Sequence, residues 1–326
     1  MTKIDIYSGF LGAGKTTLIK KMISEAYQGQ KLVLIENEFG EIGIDGGFLQ
    51  DAGINITEMN SGCICCSLVG DFGEALNQVI SQYDPDRVII EPSGVGKLSD
   101  VIGAVEKVTN EEVTLGYTVA VVDATKVKVY TKNFGEFYNN QIETASTIIL
   151  SRTGSIQQNK LDTAVAMLRE HNEKATLITT PWEQLTGEQL ISAMEGQSTL
   201  AAELAKLEME RLHAHHHEEG CCCGHDHGHE GHHHADEVFD SIGMETTRKF
   251  SMEKIAEILA ALEDEHEYGM VLRAKGIVAG QDGQWIHFDY VPGEPDVRVG
   301  SAGIIGRICV IGADIDIEKI HAAFEI

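Results

Sequence analysis

The sequence predicts an α/β protein in which a parallel-rich sheet is flanked by helices and followed by a small α+β domain. Three features of the chain point that way. The first half alternates short apolar runs with amphipathic stretches of helical period. A block rich in His, Cys, Gly, Asp and Glu then breaks the pattern, and beyond it strand-like and helix-like stretches no longer alternate strictly. At 326 residues and 43% hydrophobic content the chain is long enough for two domains. The expected division is 1–212, a linker at 213–236, and 237–326.

Lys3–Ser8 is the first expected strand, and Thr16–Ala26 the first crossover helix, with Leu18, Ile19, Met22, Ile23 and Ala26 at helical spacing. Lys31–Glu36, Arg87–Glu91, Tyr117–Asp123, Thr147–Ser151 and Ala175–Thr179 continue the sheet, and Leu161, Val165 and Leu168 mark Gln157–His171 as a second crossover helix. Thr199–Leu212 is polar and helix-prone. It runs into His213–Asp236, which has too few apolar residues to bury a core and is expected to be a disordered linker. After it come strand-like Glu237–Phe250, Met270–Ala279 and Trp285–Val291, a buried strand around Cys309, and helix-like Ser251–Leu262 and Ile315–Phe324. That mixture implies a largely antiparallel sheet.

The 25 Lys and Arg against 51 Asp and Glu give a net charge of −26, a field that repels nucleic acid and anionic lipid and attracts cations. The first residues lack a long apolar core, and no later stretch approaches a membrane span. A soluble cytoplasmic protein, with no nucleic-acid or membrane partner, is the expectation. The seven cysteines fall as Cys63, Cys65 and Cys66, then Cys221, Cys222 and Cys223, then Cys309 alone. Adjacent cysteines cannot frame a fold with unstrained disulfides, so reduced thiols for metal or redox work fit better.

The run Gly9-Phe10-Leu11-Gly12-Ala13-Gly14-Lys15-Thr16-Thr17 has the spacing of a phosphate-binding P-loop and lies between an expected strand and an expected helix. Its glycines let successive N–H groups point at phosphate oxygens, and the following helix adds its positive end. Lys15 is expected to reach the terminal phosphates and Thr16 to bind magnesium. This refines the first domain to a P-loop nucleoside triphosphatase. Glu91, with Gly94 close behind, ends an apolar strand where such enzymes place the residue that senses magnesium or the attacking water. The acidic run from Glu36 to Glu41 is expected to be a switch-like loop, whereas Asp45 reads as a turn residue.

Cys63, Cys65 and Cys66 put three thiols within four residues, able to converge on one soft ion such as zinc or copper(I). Glu36 and Glu41 are candidate oxygen ligands beside them. The competing reading is a redox dithiol or buried cysteines, but the spacing is not C-x-x-C. Ten of the fourteen histidines lie between His213 and His234, mixed with thiols and carboxylates, as in a metal-collecting arm. His171, His266, His287 and His321 are isolated and read as surface or satisfied residues.

Taken in order, the P-loop, Glu36-Asn-Glu-Phe-Gly-Glu-Ile-Gly-Ile-Asp45, Gly62-Cys-Ile-Cys-Cys66 and Glu91-Pro-Ser-Gly94 resemble the CobW-like P-loop GTPases, relatives of the nickel-insertion GTPases. The likeness extends through the His-rich linker to Leu272-Arg-Ala-Lys-Gly276 and Trp285. It implies Lys15 and Thr16 on phosphate and magnesium, Lys15, Glu91 and Glu41 in catalysis, and a metal, zinc or cobalt, on the cysteines. It also implies nucleotide-controlled delivery of that metal to a client metalloprotein. One departure stands out. Where the family has Asn-Lys-x-Asp, this chain has Ser151-Arg152-Thr153-Gly154, so the carboxylate that reads guanine is missing and ATP stays open beside GTP. Ser151 and Arg152 are still expected at the nucleotide, with the Arg152 guanidinium stacked on the base. Two other uses of the same residues remain: a metal buffer or sensor with slow turnover, and an ATP-driven activator of a corrinoid or other metalloenzyme.

Overall fold

The computed structural model describes residues 1–36, 55–58, 69–196 and 240–326, and the chain falls into two compact units, Met1–Glu195 and Gly196–Ile326. In the first unit β1 (Thr2–Gly9), α1 (Lys15–Glu25), β2 (Leu32–Glu36), β3 (Asn55–Glu58), α2 (Val69–Tyr83), β4 (Arg87–Glu91) and α3 (Leu98–Glu106) follow one another. Then come β5 (Val113–Asp123), α4 (Val127–Asn133), α5 (Gly135–Thr144), β6 (Thr147–Ser151), α6 (Gln158–His171), β7 (Thr176–Ile178) and α7 (Gly187–Met194). The seven strands form one sheet in the order β3-β2-β4-β1-β5-β6-β7, and every pairing is parallel.

The central strands are largely apolar because both faces are covered: Ile4, Ile6, Val88, Ile89, Ile90, Val119 and Val121 are wholly buried, beside the buried pair Asp5 and Arg87. β1 lies between β4 and β5, from which the chain leads away to opposite sides. Its carboxyl end is therefore a topological switch point, where open α/β sheets bind ligands.

The six strands expected from sequence are all present. The seventh, β3, is the four-residue run Asn-Ile-Thr-Glu, too short and polar to register as a period. β5 starts four residues before the expected Tyr117, at Val113, and its early residues are half-buried rather than apolar core.

In the second unit β8 (Asp240–Thr246), β9 (Lys249–Phe250), α8 (Met252–Ala261), α9 (Glu265–Tyr268), β10 (Met270–Gly280), β11 (Trp285–Val291), β12 (Glu294–Gly300), β13 (Gly306–Ala313) and α10 (Ile317–Ala323) build an α+β domain. The sheet order is β12-β11-β10-β13-β8, antiparallel throughout, with β9 added parallel to β10. Ile255, Ile258 and Leu259 of α8 and Ile320 of α10 pack with Ile308 and Val310 of β13 in its core. Ser251 and Asp316 accept from the Lys254 and Lys319 amides and so cap the two helices.

The single strand expected at Glu237–Phe250 divides into β8 and β9 around Thr247 and Arg248, with 237–239 outside the described residues. β12 was not anticipated, because Pro295 and its charged neighbours argue against a strand. They are accommodated because β12 is an edge. Cys309 is buried on β13 as expected.

Candidate nucleotide site

The loop from β1 into α1 turns through left-handed or otherwise positive φ at Gly9 (149°), Gly12 (68°) and Gly14 (102°). Gly9 also passes so close to β5 that a Cβ there would lie 2.3 Å from Val121 O. These contortions are open to glycine and costly to other residues. The Ala13 N–H donates to Phe10 O at 3.2 Å, and the Leu18 N–H to Gly14 O at 3.0 Å, closing the loop onto the first turn of α1. Phe10 anchors it from below, its ring 4.7 Å from Tyr130, 5.0 Å from Phe134 and 5.8 Å from Tyr138, centroid to centroid. Lys15 is buried, its Nζ 3.5 Å from Phe10 O, and so curls over its own loop.

Thr16, in the first turn of α1, donates through Oγ1 to Glu91 Oε1 at 2.9 Å at the end of β4. Glu91 is the register partner of Glu36 on β2, and Glu36 of Glu58 on β3, so three strands end side by side in glutamate. Behind β4, a Cβ on Gly94 would stand 2.8 Å from Leu11 N, so only glycine lets this turn approach the phosphate loop. Gln141 of α5 holds the turn by donating to Gly94 O at 3.1 Å and Gly96 O at 2.8 Å.

On the other side of the loop a cavity of about 420 Å³ is lined by Ala13, Gly14, Thr17, the 150–155 turn and Pro181–Glu183. Ser151 is buried and donates to Val122 O at 3.4 Å. Arg152 has a left-handed backbone (φ 60°) and ion-pairs with the buried Asp123, while its Nη2 donates to Gly12 O at 3.0 Å.

A family model described as CobW/HypB/UreG, nucleotide-binding domain, matches residues 3–179, and one described as cobalamin synthesis protein cobW C-terminal domain matches 239–326. The chain belongs to this CobW family. Among its relatives are a zinc chaperone YeiR of Escherichia coli K12, 31% identical over 154 residues, and a zinc chaperone CobW of a Sinorhizobium species, 29% identical over 324 residues. The YeiR match covers 47% of each chain; the CobW match covers 89% of this chain and 82% of the relative. The chain thus spans about half the length of the first relative. A zinc-regulated GTPase metalloprotein activator 1 of Schizosaccharomyces pombe is 24% identical over 308 residues, 88% of this chain and 74% of that one.

Of the residues singled out from sequence, the structure gathers Gly9, Gly12, Ala13, Gly14, Lys15, Thr16, Thr17, Glu91 and Gly94 around one loop, with Glu36 one strand further along. Ser151 and Arg152 line the adjoining cavity. Glu41, Asp45, Cys63, Cys65, Cys66 and the 213–236 segment lie outside the described residues, and among the described residues no group of three or more His, Cys, Asp or Glu could hold a metal ion. Arg152, expected to stack on a base, directs its in-plane N–H donors to Asp123 and Gly12 O, which leaves the face of its guanidinium open. Isolated histidines behave as expected where they are recorded, His171 Nδ1 lying 3.0 Å from Glu143 and His287 Nε2 donating to Ser301 O at 2.8 Å. Among the described residues no helix is long and apolar enough to cross a membrane.

Sequence reading missed Asp123, Gln141, Thr153 and Trp182. Asp123 had a usable signal, since it ends an apolar strand as Glu91 does; the others depend on which turns the sheet brings together.

Proposed function

We propose that this chain is a nucleoside triphosphatase that uses GTP hydrolysis to control the capture and delivery of a transition metal to a client metalloprotein, with zinc as the ion and cobalt as the alternative. The carrying observation is the Thr16–Glu91 hydrogen bond at the carboxyl edge of the sheet, where β2 and β3 also end in register. In sequence Glu41 follows β2 by five residues and Cys63 follows β3 by five, and both strands end at the phosphate edge. With neighbouring strands roughly 4.8 Å apart, β3 ends about 14 Å from β1, three strands along. The relatives named as zinc chaperones and as a GTPase metalloprotein activator support the same reading.

The amides of Gly12 to Thr17 and the Lys15 ammonium cradle the phosphates. The Thr16 hydroxyl and Glu91 carboxylate are hard oxygen donors within hydrogen-bond distance of each other, a donor set that fits magnesium. They would hold it, and when bound it neutralises charge on the phosphate oxygens. Glu91 exchanges its bond with Thr16 for hydrogen bonds from water at the phosphate edge, and Glu41 assists it. Because Glu36 and Glu91 are ladder partners, a change at β4 is passed to the start of the Glu36–Asp45 segment. Glu36, Glu41, Cys63, Cys65 and Cys66 hold the cargo ion, and hydrolysis alters their grip on it. The cell compartment is the cytoplasm.

Linkage supplies the experiment. If nucleotide state changes zinc affinity, zinc must change nucleotide affinity by the same factor, commonly between about 5-fold and 150-fold. Zinc affinity is measured by chelator competition in the apo, GDP and non-hydrolysable GTP-analogue states. Equal affinity in all three would sink the proposal.

A further inference from the structure

Gly154 occupies the place of a base-reading aspartate, yet the wall of the cavity beside it includes an acidic residue from elsewhere, Glu183. The turn Pro181–Glu183 forms the wall facing Gly154, and a Cβ on Gly154 would meet Pro181 Cγ at 3.6 Å. That turn is fixed: Gln184 N–H donates to Pro181 O at 2.9 Å and Leu185 N–H to Trp182 O at 3.1 Å. Trp182 is buried and packs so tightly on the phosphate loop that a Cβ on Gly14 would lie 3.1 Å from its Cη2. Glu183 therefore sits at a set position relative to the P-loop, with its side chain exposed at the cavity wall.

Among the described lining residues Glu183 is the only acid. Arg152 bonds to Asp123 and Gly12 O, and as a donor-only group it offers no acceptor to guanine N1–H or the exocyclic amino group. Thr153 also lines the cavity, and its buried Oγ1 has no hydrogen-bond partner among the described residues, so its hydroxyl can give a donor to a ligand if the side chain turns toward it.

Guanine offers two adjacent donors, N1–H and the exocyclic amino group, beside the O6 acceptor. Adenine offers an N1 lone pair and an amino group. A carboxylate accepts two hydrogen bonds and donates none, so it matches guanine and repels the adenine N1 lone pair, while a threonine hydroxyl can donate to O6. We propose that Glu183 is the specificity-determining residue of this nucleotide site, accepting from guanine in place of the missing aspartate, with Thr153 donating to O6. This rests on the nucleotide-binding reading above and adds to it the means of choosing the base.

The test is binding of fluorescent GDP and ADP analogues, with magnesium, to the full-length chain and to Glu183→Ala, Glu183→Gln and the double variant Glu183→Ala/Gly154→Asp, with thermal melting as the folding control. The expected result is a wild-type preference for GDP that falls by about tenfold or more in Glu183→Ala, with ADP binding unmoved. Glu183→Gln should be intermediate because the amide keeps one acceptor. Gly154→Asp should restore the preference, since its side chain enters ordinary contact distance of Pro181. Equal wild-type affinity for GDP and ADP, or equal weakening of both by Glu183→Ala, overturns the inference and leaves the nucleotide reading standing. Failure of the wild type to bind either nucleotide overturns the nucleotide reading itself.

Discussion

Thr16 Oγ1 lies 2.9 Å from Glu91 Oε1 and 3.2 Å from Oε2, joining the first turn of α1 to the end of β4 across 75 positions of chain. If these oxygens serve phosphate chemistry, they should fail in different ways. Glu91→Gln keeps shape but loses charge, and should lower the turnover of GTP roughly 100-fold while reducing, without abolishing, the gain in triphosphate affinity that magnesium brings. Thr16→Ala should instead abolish the gain in triphosphate affinity that magnesium brings. Steady-state turnover and titrations with and without magnesium separate the two. Unchanged turnover in Glu91→Gln would remove Glu91 from the reaction.

The phosphate loop also depends on backbone that other residues cannot copy. Gly9→Ala would force a Cβ to within 2.3 Å of Val121 O at a φ of 149°, against strand backbone that cannot swing aside. The conformation alone costs about 1–3 kcal/mol, before any displacement of β5. Gly12→Ala meets nothing within 4 Å and should cost only about 1 kcal/mol for its φ of 68°. Thermal melts should show Gly9→Ala falling several degrees further than Gly12→Ala, at about 2–4 °C per kcal/mol. A reversed order would contradict the close approach of β1 to β5.

Asp5 and Arg87 form a buried pair between β1 and β4, and Asp5 also accepts from Tyr27 OH at 3.0 Å and the Tyr117 N–H at 2.9 Å. Burial raises the Asp5 carboxyl above its ordinary value, with Arg87 the main counterweight. Arg87→Ala removes that counterweight and should destabilise the domain by about 3–5 kcal/mol near neutral pH. In the variant the folded-state pKa of Asp5 rises further, so the folded protein binds the proton more tightly than the unfolded chain. Stability of the variant is then recovered as pH falls through that raised pKa and lost as pH rises through it. Urea unfolding of wild type and variant at pH 5 and pH 8 should give the smaller difference at pH 5. The same difference at both values would mean that losing Arg87 leaves the folded-state pKa of Asp5 where it is in the wild type.

How much of this could be read from the chain varies with the kind of signal. β2, β4 and β6 were visible because parallel strands covered on both faces are near-continuous apolar runs, β1 because it precedes the P-loop, and the P-loop because its glycines and Lys15 have fixed spacing. β3 and β12 were hidden for opposite reasons: one is four residues long, and the other is a charged edge strand in which Pro295 needs no ladder donor. The Thr16–Glu91 contact was implied by the motif, since each sits where its class of enzyme requires it. Arg152 could be placed at the site but its partner Asp123 could not, because Asp123 reaches it only through the β5–β6 register, which no local pattern encodes. Glu183 and Thr153 carry no local signal and become meaningful only once two turns face each other across a cavity.

Arg152 yields the last test, because its contacts make it a support for the phosphate loop. Its guanidinium joins Asp123 at the end of β5 to the Gly12 carbonyl, so removing it frees the middle of the phosphate loop. Arg152→Ala should weaken GDP, ADP and tripolyphosphate by similar factors, about tenfold for the loss of a charge-assisted bond. Asp123 would keep Thr125, whose N–H donates to it at 2.9 Å and whose hydroxyl donates at 2.6 Å, so the fold should survive. Arg152→Lys preserves the charge but not the fork that reaches two acceptors at once, and should fall between wild type and alanine. A loss confined to the nucleotides, with tripolyphosphate binding intact, would instead mark Arg152 as a residue that stacks on the base.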